Sequence, residues 1–421
     1  MSVLARNLLP DTADVGPDGS LTVGGCALLD LAEQFGTPLF VYDEAHLRAR
    51  CQEALAAFDD GVAYAAKAFL CRAMAALVHE EGLGIDVATG GELHVALSAG
   101  VVPSRLVMHG NNKSESELAA AIAAGVGRIV VDSFDELDRL DGLAGSDAPP
   151  EVLIRLTPGV AAHTHEYVQT GQDDTKFGFG LASGAATEAV ERARASDAVR
   201  LVGVHAHIGS QVFTVDSFVR AAGVLARFVV PLDLPELSVG GGLGVPYVVG
   251  EVAPSLTEWA EAVIGACRKA GVTSRITAEP GRAIAATAGI TLYRVGTVKD
   301  LPAIRTYVAV DGGMSDNPRP VLYGSGYETF LPRDPFGERP RTVRVVGKHC
   351  ESGDLLVRDG LVPADLAVGD ILATPVTGAY GHSMGSNYNK VPRPPVVFVR
   401  DGDARLVVRR ETNEDLTRLD V

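Results

Sequence analysis

One lysine stands in a setting that suits covalent chemistry. In GVAYAAKAFLCR, residues 61–72, a short run of small and apolar residues delivers Lys67 just ahead of a helix-like segment. An ammonium at the end of a buried strand is costly unless it is paired or used covalently. The chain has seven lysines against thirty arginines, and among the lysines only Lys67 has such apolar, small-residue neighbours. A desolvated amine captures an aldehyde such as pyridoxal phosphate as a Schiff base. The plain alternative is a lysine snorkelling from a strand end.

Other chemically capable residues follow at strand-like ends. Three glycines in VGGGLG (239–244) let backbone N–H groups approach an anion with no Cβ in the way, although many such triplets are only tight turns. EPGR (279–282) offers a carboxylate, a rigid turn, a small residue and an arginine suited to a bidentate anion contact. A structural salt bridge would also account for Glu279 and Arg282. In HAHIGSQ (205–211), His205 and His207 share one strand face, and His163 and His165 have the same spacing. Paired histidines can ligate a divalent metal in a barrel hydrolase. A single imidazole stacked on a flat cofactor ring explains His207 equally well, with Ser210 donating to a phosphate and His205 a satisfied core residue.

Residues 61–280 alternate β-like runs with Ala-rich helical stretches. Strands are expected at 61–66, 84–88, 105–109, 127–131, 151–156, 201–207, 235–239 and 274–279. Helices are expected near 70–82, 91–100, 114–125, 133–143, 184–196, 214–229 and 255–270, with one more at 43–58 after the strand-like PLFVY (38–42). Eight strand–helix units imply a closed (β/α)8 barrel, although periodicity does not distinguish closure from an open doubly wound sheet. In a barrel the working residues gather at the C-terminal strand ends. Lys67, Asp86 with Thr89, His109, His207, Gly240–Gly242 and Glu279 occupy six such ends. After residue 288 the texture becomes β-rich, broken by Gly, Pro and Asp. The division expected is a barrel over 36–285 and a mainly antiparallel β-domain over 1–35 and 286–421.

The whole chain is compatible with an enzyme of this size. It has 421 residues, 47% apolar and 21% charged, with a formal net charge of −16. That balance argues against nucleic acid or an anionic membrane as partner. There is no apolar run of membrane-spanning length. The N-terminus lacks the pattern of a signal peptide, and the five scattered cysteines suggest reduced thiols in a cytoplasmic protein.

Taken in order, Lys67, HIGSQ, GGGLG and EPGR resemble the fold-type III pyridoxal-phosphate enzymes. GIDVATGGEL (84–93), HGNNKS (109–114), TGQDDTKFGFG (170–180), DGGMSDNPRPVLYG (311–324), GKHCESGDLL (347–356) and GAYGHSMGSNYN (378–389) are similar to motifs of the diaminopimelate decarboxylase family. The similarity runs from about Gly36 to the C-terminus. It implies decarboxylation of meso-2,6-diaminopimelate to L-lysine and CO2, the last step of lysine biosynthesis. Related barrel decarboxylases act on ornithine, arginine or carboxynorspermidine, and these remain the nearest alternatives.

The resemblance also implies roles. Lys67 would hold pyridoxal phosphate, His207 would stack on its ring, and Glu279 would pair with its ring nitrogen. Asp86, Ser210, Gly241, Gly242, Gly281, Arg282 and Tyr380 complete the implied cofactor contacts. Arg282, Arg319, Tyr323, Glu351 and Tyr380 match substrate contacts, and Cys350 matches the proton donor, although a free Cys is more often an inert apolar residue. The loop CESGD would enter a neighbouring subunit's site, which implies a homodimer with shared active sites and no metal. Gly385-Ser386 and KVPRPP (390–395) depart from the family's usual pattern and bear on loop conformation.

Overall fold

A computed structural model of the chain describes residues 4–143, 149–160 and 174–421. His163, His165 and the start of TGQDDTKFGFG lie outside the described residues. The chain divides into two compact units, one of residues 50–245 and 253–283, the other of 1–49, 246–252 and 284–421.

The first unit is a barrel. Its strands are Ala63–Ala65, Gly84–Val87, Leu106–Met108, Arg128–Val131, Glu151–Thr157, Arg200–Ala206, Glu236–Ser238 and Arg275–Thr277. They pair in parallel in sequence order, and a short strand Phe179–Gly180 adds to the fifth. The first and last also meet: Val62 bridges Ala278 in parallel, and the Ala63 N–H donates to the Ala278 carbonyl at 3.0 Å. Closure, which periodicity left open, is thus a property of the fold.

Helices Arg72–Glu80, Gly90–Ser98, Glu115–Ala124, Phe134–Leu143, Ala185–Ala195, Val215–Val229 and Leu256–Lys269 follow the first seven strands. Their starts are written locally. Thr89 caps Gly90–Ser98, while Ser114 with Glu117 and Ser255 with Glu258 form capping boxes. Helix Val215–Val229 buries Phe218, Ala221, Ala222, Leu225, Ala226 and Val229 at helical spacing. Trp259, fully buried, packs edge-on against Phe58 with ring centres 5.0 Å apart.

The second unit is mainly antiparallel. Its sheet runs Leu355–Val362, Arg341–Val346, Arg305–Val310, Gly289–Leu301, Leu39–Asp43, Val396–Arg400, Asp403–Val408, with Ile371–Pro375 also on Gly289–Leu301. Two of its pairings are parallel. A small sheet of Asp14–Val15, Leu21–Val23 and Cys26–Ala27 belongs to the same unit. Strand Leu39–Asp43, which the boundary at residue 36 groups with the barrel, is hydrogen-bonded to Gly289–Leu301 and Val396–Arg400. Its fully buried LFVYD run is that of a central strand, and a barrel already closed by eight strands offers no free edge for it. The β-rich texture after residue 288 also hides one short helix, Arg319–Tyr323, with Pro320 in its first turn.

Barrel spacing leaves Gly203 no room for a side chain: a Cβ there would lie 2.3 Å from the Glu236 carbonyl oxygen and 2.8 Å from Leu153 Cδ2. Gly203→Ala is expected to cost about 1–3 kcal/mol and lower the melting temperature by several degrees. An unchanged thermal melt would contradict this packing.

Candidate active site

The C-terminal ends of the barrel strands converge on one buried carboxylate. Glu279 Oε1 lies 3.2 Å from His109 Nε2 and accepts from Ser238 Oγ at 3.0 Å, while Oε2 lies 2.9 Å from His205 Nε2. Burial alone would push this carboxyl up, but the two imidazoles facing it hold it well below the usual carboxylate range. His109 also stands 3.8 Å from Asp86, and burial of its ring is outweighed by Asp86 and Glu279, which raise its pKa. For His205 burial prevails and lowers it. His205 is therefore more than a core residue, and His109, on the third strand end, joins the site.

Two strand ends that sequence reasoning passed over supply further charges. Asp132 accepts from the Gly178 N–H at 2.5 Å and pairs with Arg155 at 3.3 Å. Lys113 is the desolvated lysine of this chain: 1% exposed, it reaches Glu136 at 2.8 Å and donates to the Gly110 and Val130 carbonyls at 2.6 and 2.8 Å. The signal was HGNNKS, whose lysine lies four residues past a strand-end histidine. Lys67, by contrast, is exposed, because the first strand stops at Ala65 and the lysine sits in the turn Ala66–Ala68 at the barrel's open end.

Lys67 is close enough to bias its surroundings. Burial, then the charges of Lys67 and Arg155, hold His207 well below the ordinary imidazole pKa. The Gly241 N–H donates to His207 Nδ1 at 3.2 Å, so that nitrogen carries no proton and the ring is neutral with Nε2–H. Arg282, 7% exposed, donates to Ser210 Oγ at 2.8 Å. Around them three loops approach backbone to backbone: a Cβ on Gly241 would lie 2.3 Å from the Glu279 carbonyl oxygen, and one on Gly242 2.1 Å from that of Gly209. Gly281 is less tight, but a Cβ there would still come within 2.9 Å of Ala65. Lys67, Asp86, His207, Ser210, Gly241, Gly242, Glu279, Gly281 and Arg282 thus lie in the barrel unit.

The other residues singled out in the sequence lie in the β unit. Arg319 is buried, its guanidinium 4.1 Å from the Tyr247 ring centre, and it donates to the Tyr327 hydroxyl at 2.5 Å. Burial disfavours its charge, but Tyr247 and Tyr327 facing it raise its pKa further. Tyr323 stands half-buried on the same short helix. Cys350 and Glu351 are exposed on a tight loop. Asp354 braces that loop, accepting from the His349 N–H at 2.8 Å and the Met314 N–H at 2.7 Å. The Tyr388 hydroxyl donates to Glu351 at 3.3 Å. Tyr380 has φ +60°, a strained backbone for an aromatic residue. In the departing segment, Gly385 meets the Ser315 carbonyl, and a Cβ there would come within 3.1 Å of it.

A barrel of this topology, with a lysine after the first strand and a carboxylate after the eighth, is that of the pyridoxal-dependent decarboxylases; the family described as "Pyridoxal-dependent decarboxylase, pyridoxal binding domain" matches residues 44–286. Over nearly its whole length the chain is 50% identical to the diaminopimelate decarboxylase of Mycobacterium tuberculosis, covering 99% of this chain and 98% of the relative. It is 44% identical to that of Bacillus subtilis, covering 98% of each. Among solved structures, the diaminopimelate decarboxylase of M. jannaschii superposes with a TM-score of 0.90 at 33% identity, covering 98% of both chains. The Helicobacter pylori enzyme complexed with L-lysine gives 0.84 at 32% identity, covering 93% of this chain and 98% of that one. The chain belongs to the diaminopimelate decarboxylase family.

The barrel's donor set fits pyridoxal phosphate. Glu279 is an ionised carboxylate with three of its roughly four acceptor positions filled, leaving capacity for a cationic ring N–H. Gly241, Gly242 and Gly281 keep side chains out of the cradle beside Ser210 and Arg282, as a phosphate requires.

The neutrality of His207 has a measurable consequence. Because its folded pKa is depressed, the unfolded chain takes up a proton first, and stability is lost as pH falls through the unfolded value of about 6.5. His207→Phe, flat but without a titrating group, is expected to lose less melting temperature than wild type between about pH 7.5 and about pH 5.5. An equal loss in both proteins would contradict the buried neutral imidazole.

Proposed function

We propose that Lys67, Glu279 and Cys350 carry the work of a pyridoxal-phosphate-dependent carboxy-lyase that converts meso-2,6-diaminopimelate to L-lysine and CO2. Bound pyridoxal phosphate supplies the electron sink for the electrons left as CO2 departs. Lys67 offers the amine that tethers the cofactor. Glu279, kept ionised by His109 and His205, holds a proton at the cofactor's ring nitrogen. The neutral face of His207 covers the ring, with Asp86 at the neighbouring strand end. Ser210, Gly241, Gly242, Gly281 and Arg282 take the phosphate.

The observation that carries the substrate assignment is Arg319. It is a buried cation with no carboxylate partner among the described residues, bordered instead by Tyr247 and Tyr327. A buried guanidinium favours a bidentate carboxylate, and meso-diaminopimelate carries one at its distal end. Ornithine and arginine do not. Glu351 suits the distal ammonium, Tyr323 and Tyr380 stand with these groups in the substrate role, and the Cys350 thiol returns a proton to the α-carbon.

A homodimer with shared sites is part of this reading. It is supported by the exposure of Cys350 and Glu351 on a loop that Asp354 holds in shape. Among the described residues no helix is long and apolar enough to cross a membrane, and all five cysteines are free thiols. A cytoplasmic location accords with the latter.

The test combines two variants. Lys67→Ala is expected to fold yet yield no borohydride-trapped cofactor; trapping on another residue would overturn the Lys67 assignment. Cys350→Ala is expected to trap cofactor normally while kcat falls about 100-fold or more. Mixing the two after subunit exchange should restore about a quarter of wild-type activity, since half the dimers would then hold one intact site. No recovery on mixing would place both residues in one chain's site.

A further inference from the structure

Three titratable groups meet at the C-terminal end of the barrel strands, and the functional reading uses only the contact of His109 with Glu279, leaving its approach to Asp86 without a role. His109 Nε2 lies 3.2 Å from Glu279 Oε1 and 3.8 Å from Asp86 Oδ1, with all three side chains buried. The His109 and His205 rings meet edge-on, centres 4.9 Å apart, so each imidazole limits the other's tilt. Arg155 is the other cation acting on His109. Behind the histidine the backbone is pinned, because Lys113 binds the carbonyl of Gly110, the next residue, and is itself paired with Glu136. A lone imidazole hydrogen bond would orient Glu279; an imidazolium set between two carboxylates also offsets their mutual repulsion.

We propose that His109 is a positioning residue of the decarboxylase, a cationic bridge between Asp86 and Glu279 that keeps the Glu279 carboxylate fixed and ionised for the cofactor's ring nitrogen. The proposal rests on the assignment of Glu279 to that nitrogen. His109 touches neither substrate nor cofactor in this role and acts only through its two carboxylate neighbours. Its charge is held inside the fold, since Lys113 and Glu136 fix the turn that carries it.

The experiment compares wild type, His109→Phe, His109→Gln and Glu279→Gln as holoenzymes, by cofactor dissociation constant, absorbance of the bound cofactor, and kcat. His109→Phe removes both hydrogen bond and charge; cofactor affinity is expected to fall about tenfold, with altered cofactor absorbance and a comparable loss in kcat. His109→Gln offers an amide donor without charge, and is expected to recover affinity to within about threefold while kcat stays roughly tenfold low. Wild-type affinity and absorbance in His109→Phe, or wild-type kcat in His109→Gln, would overturn the proposal. If His109→Phe does not fold, the kcat and absorbance of His109→Gln decide alone. Glu279→Gln separates the two levels: wild-type absorbance and affinity there would remove Glu279 from the ring nitrogen, whereas a changed Glu279→Gln beside an unchanged His109→Phe would sink only the His109 bridge.

Discussion

The ionised carboxylate of Glu279 is the constraint on which the barrel's chemistry depends. A buried carboxyl takes up a proton unless its charge is answered. Here it is answered by His109, His205 and Ser238, delivered from the ends of the third, sixth and seventh strands. Only a closed barrel brings those ends round one carboxylate, and closure rests on the pairing of the Val62 and Ala278 segments. The electrostatics of the site and the topology of the fold are thus one arrangement.

Around that centre, backbone proximity does as much as side chains. Gly241 and Gly242 let the loop after the seventh strand press against Glu279 and Gly209, and the same loop fixes the His207 tautomer through the Gly241 N–H. Either glycine bearing a Cβ would push these loops apart. The Lys113–Glu136 and Arg155–Asp132 pairs hold the strand ends between, and their buried charges are compensated locally.

Much of this was legible in the sequence, for physical reasons. Alternating short apolar runs and Ala-rich helical stretches located all eight barrel strands, because a parallel strand covered on both faces reads as a continuous apolar run. Strand-end polar residues pointed to Lys67, Asp86, His207 and Glu279, since few forces other than chemistry collect charge there. What stayed hidden depended on partners distant in sequence. His205 read as an ordinary core histidine because Glu279, which claims its Nε2, lies 74 residues away. Lys113 lay in the loop-like HGNNKS, whose spacing from His109 tied it to a strand end but could not show its burial against Glu136. Lys67 read as desolvated, yet it stands exposed where the first strand gives way to a turn. The strand at residues 39–43 read as a prelude to the barrel because its pairing partners come some 250 and 350 residues later.

An ionised Glu279 suits the cofactor's ring nitrogen, and Arg319, a buried guanidinium with no carboxylate partner among the described residues, suits the distal carboxylate of meso-diaminopimelate. The most direct measurement is release of CO2 and L-lysine from meso-diaminopimelate by the cofactor-loaded protein, with ornithine, arginine and carboxynorspermidine alongside. Turnover of meso-diaminopimelate with little or none of the others is the predicted result. Turnover of ornithine, arginine or carboxynorspermidine in its place would contradict the role given to Arg319.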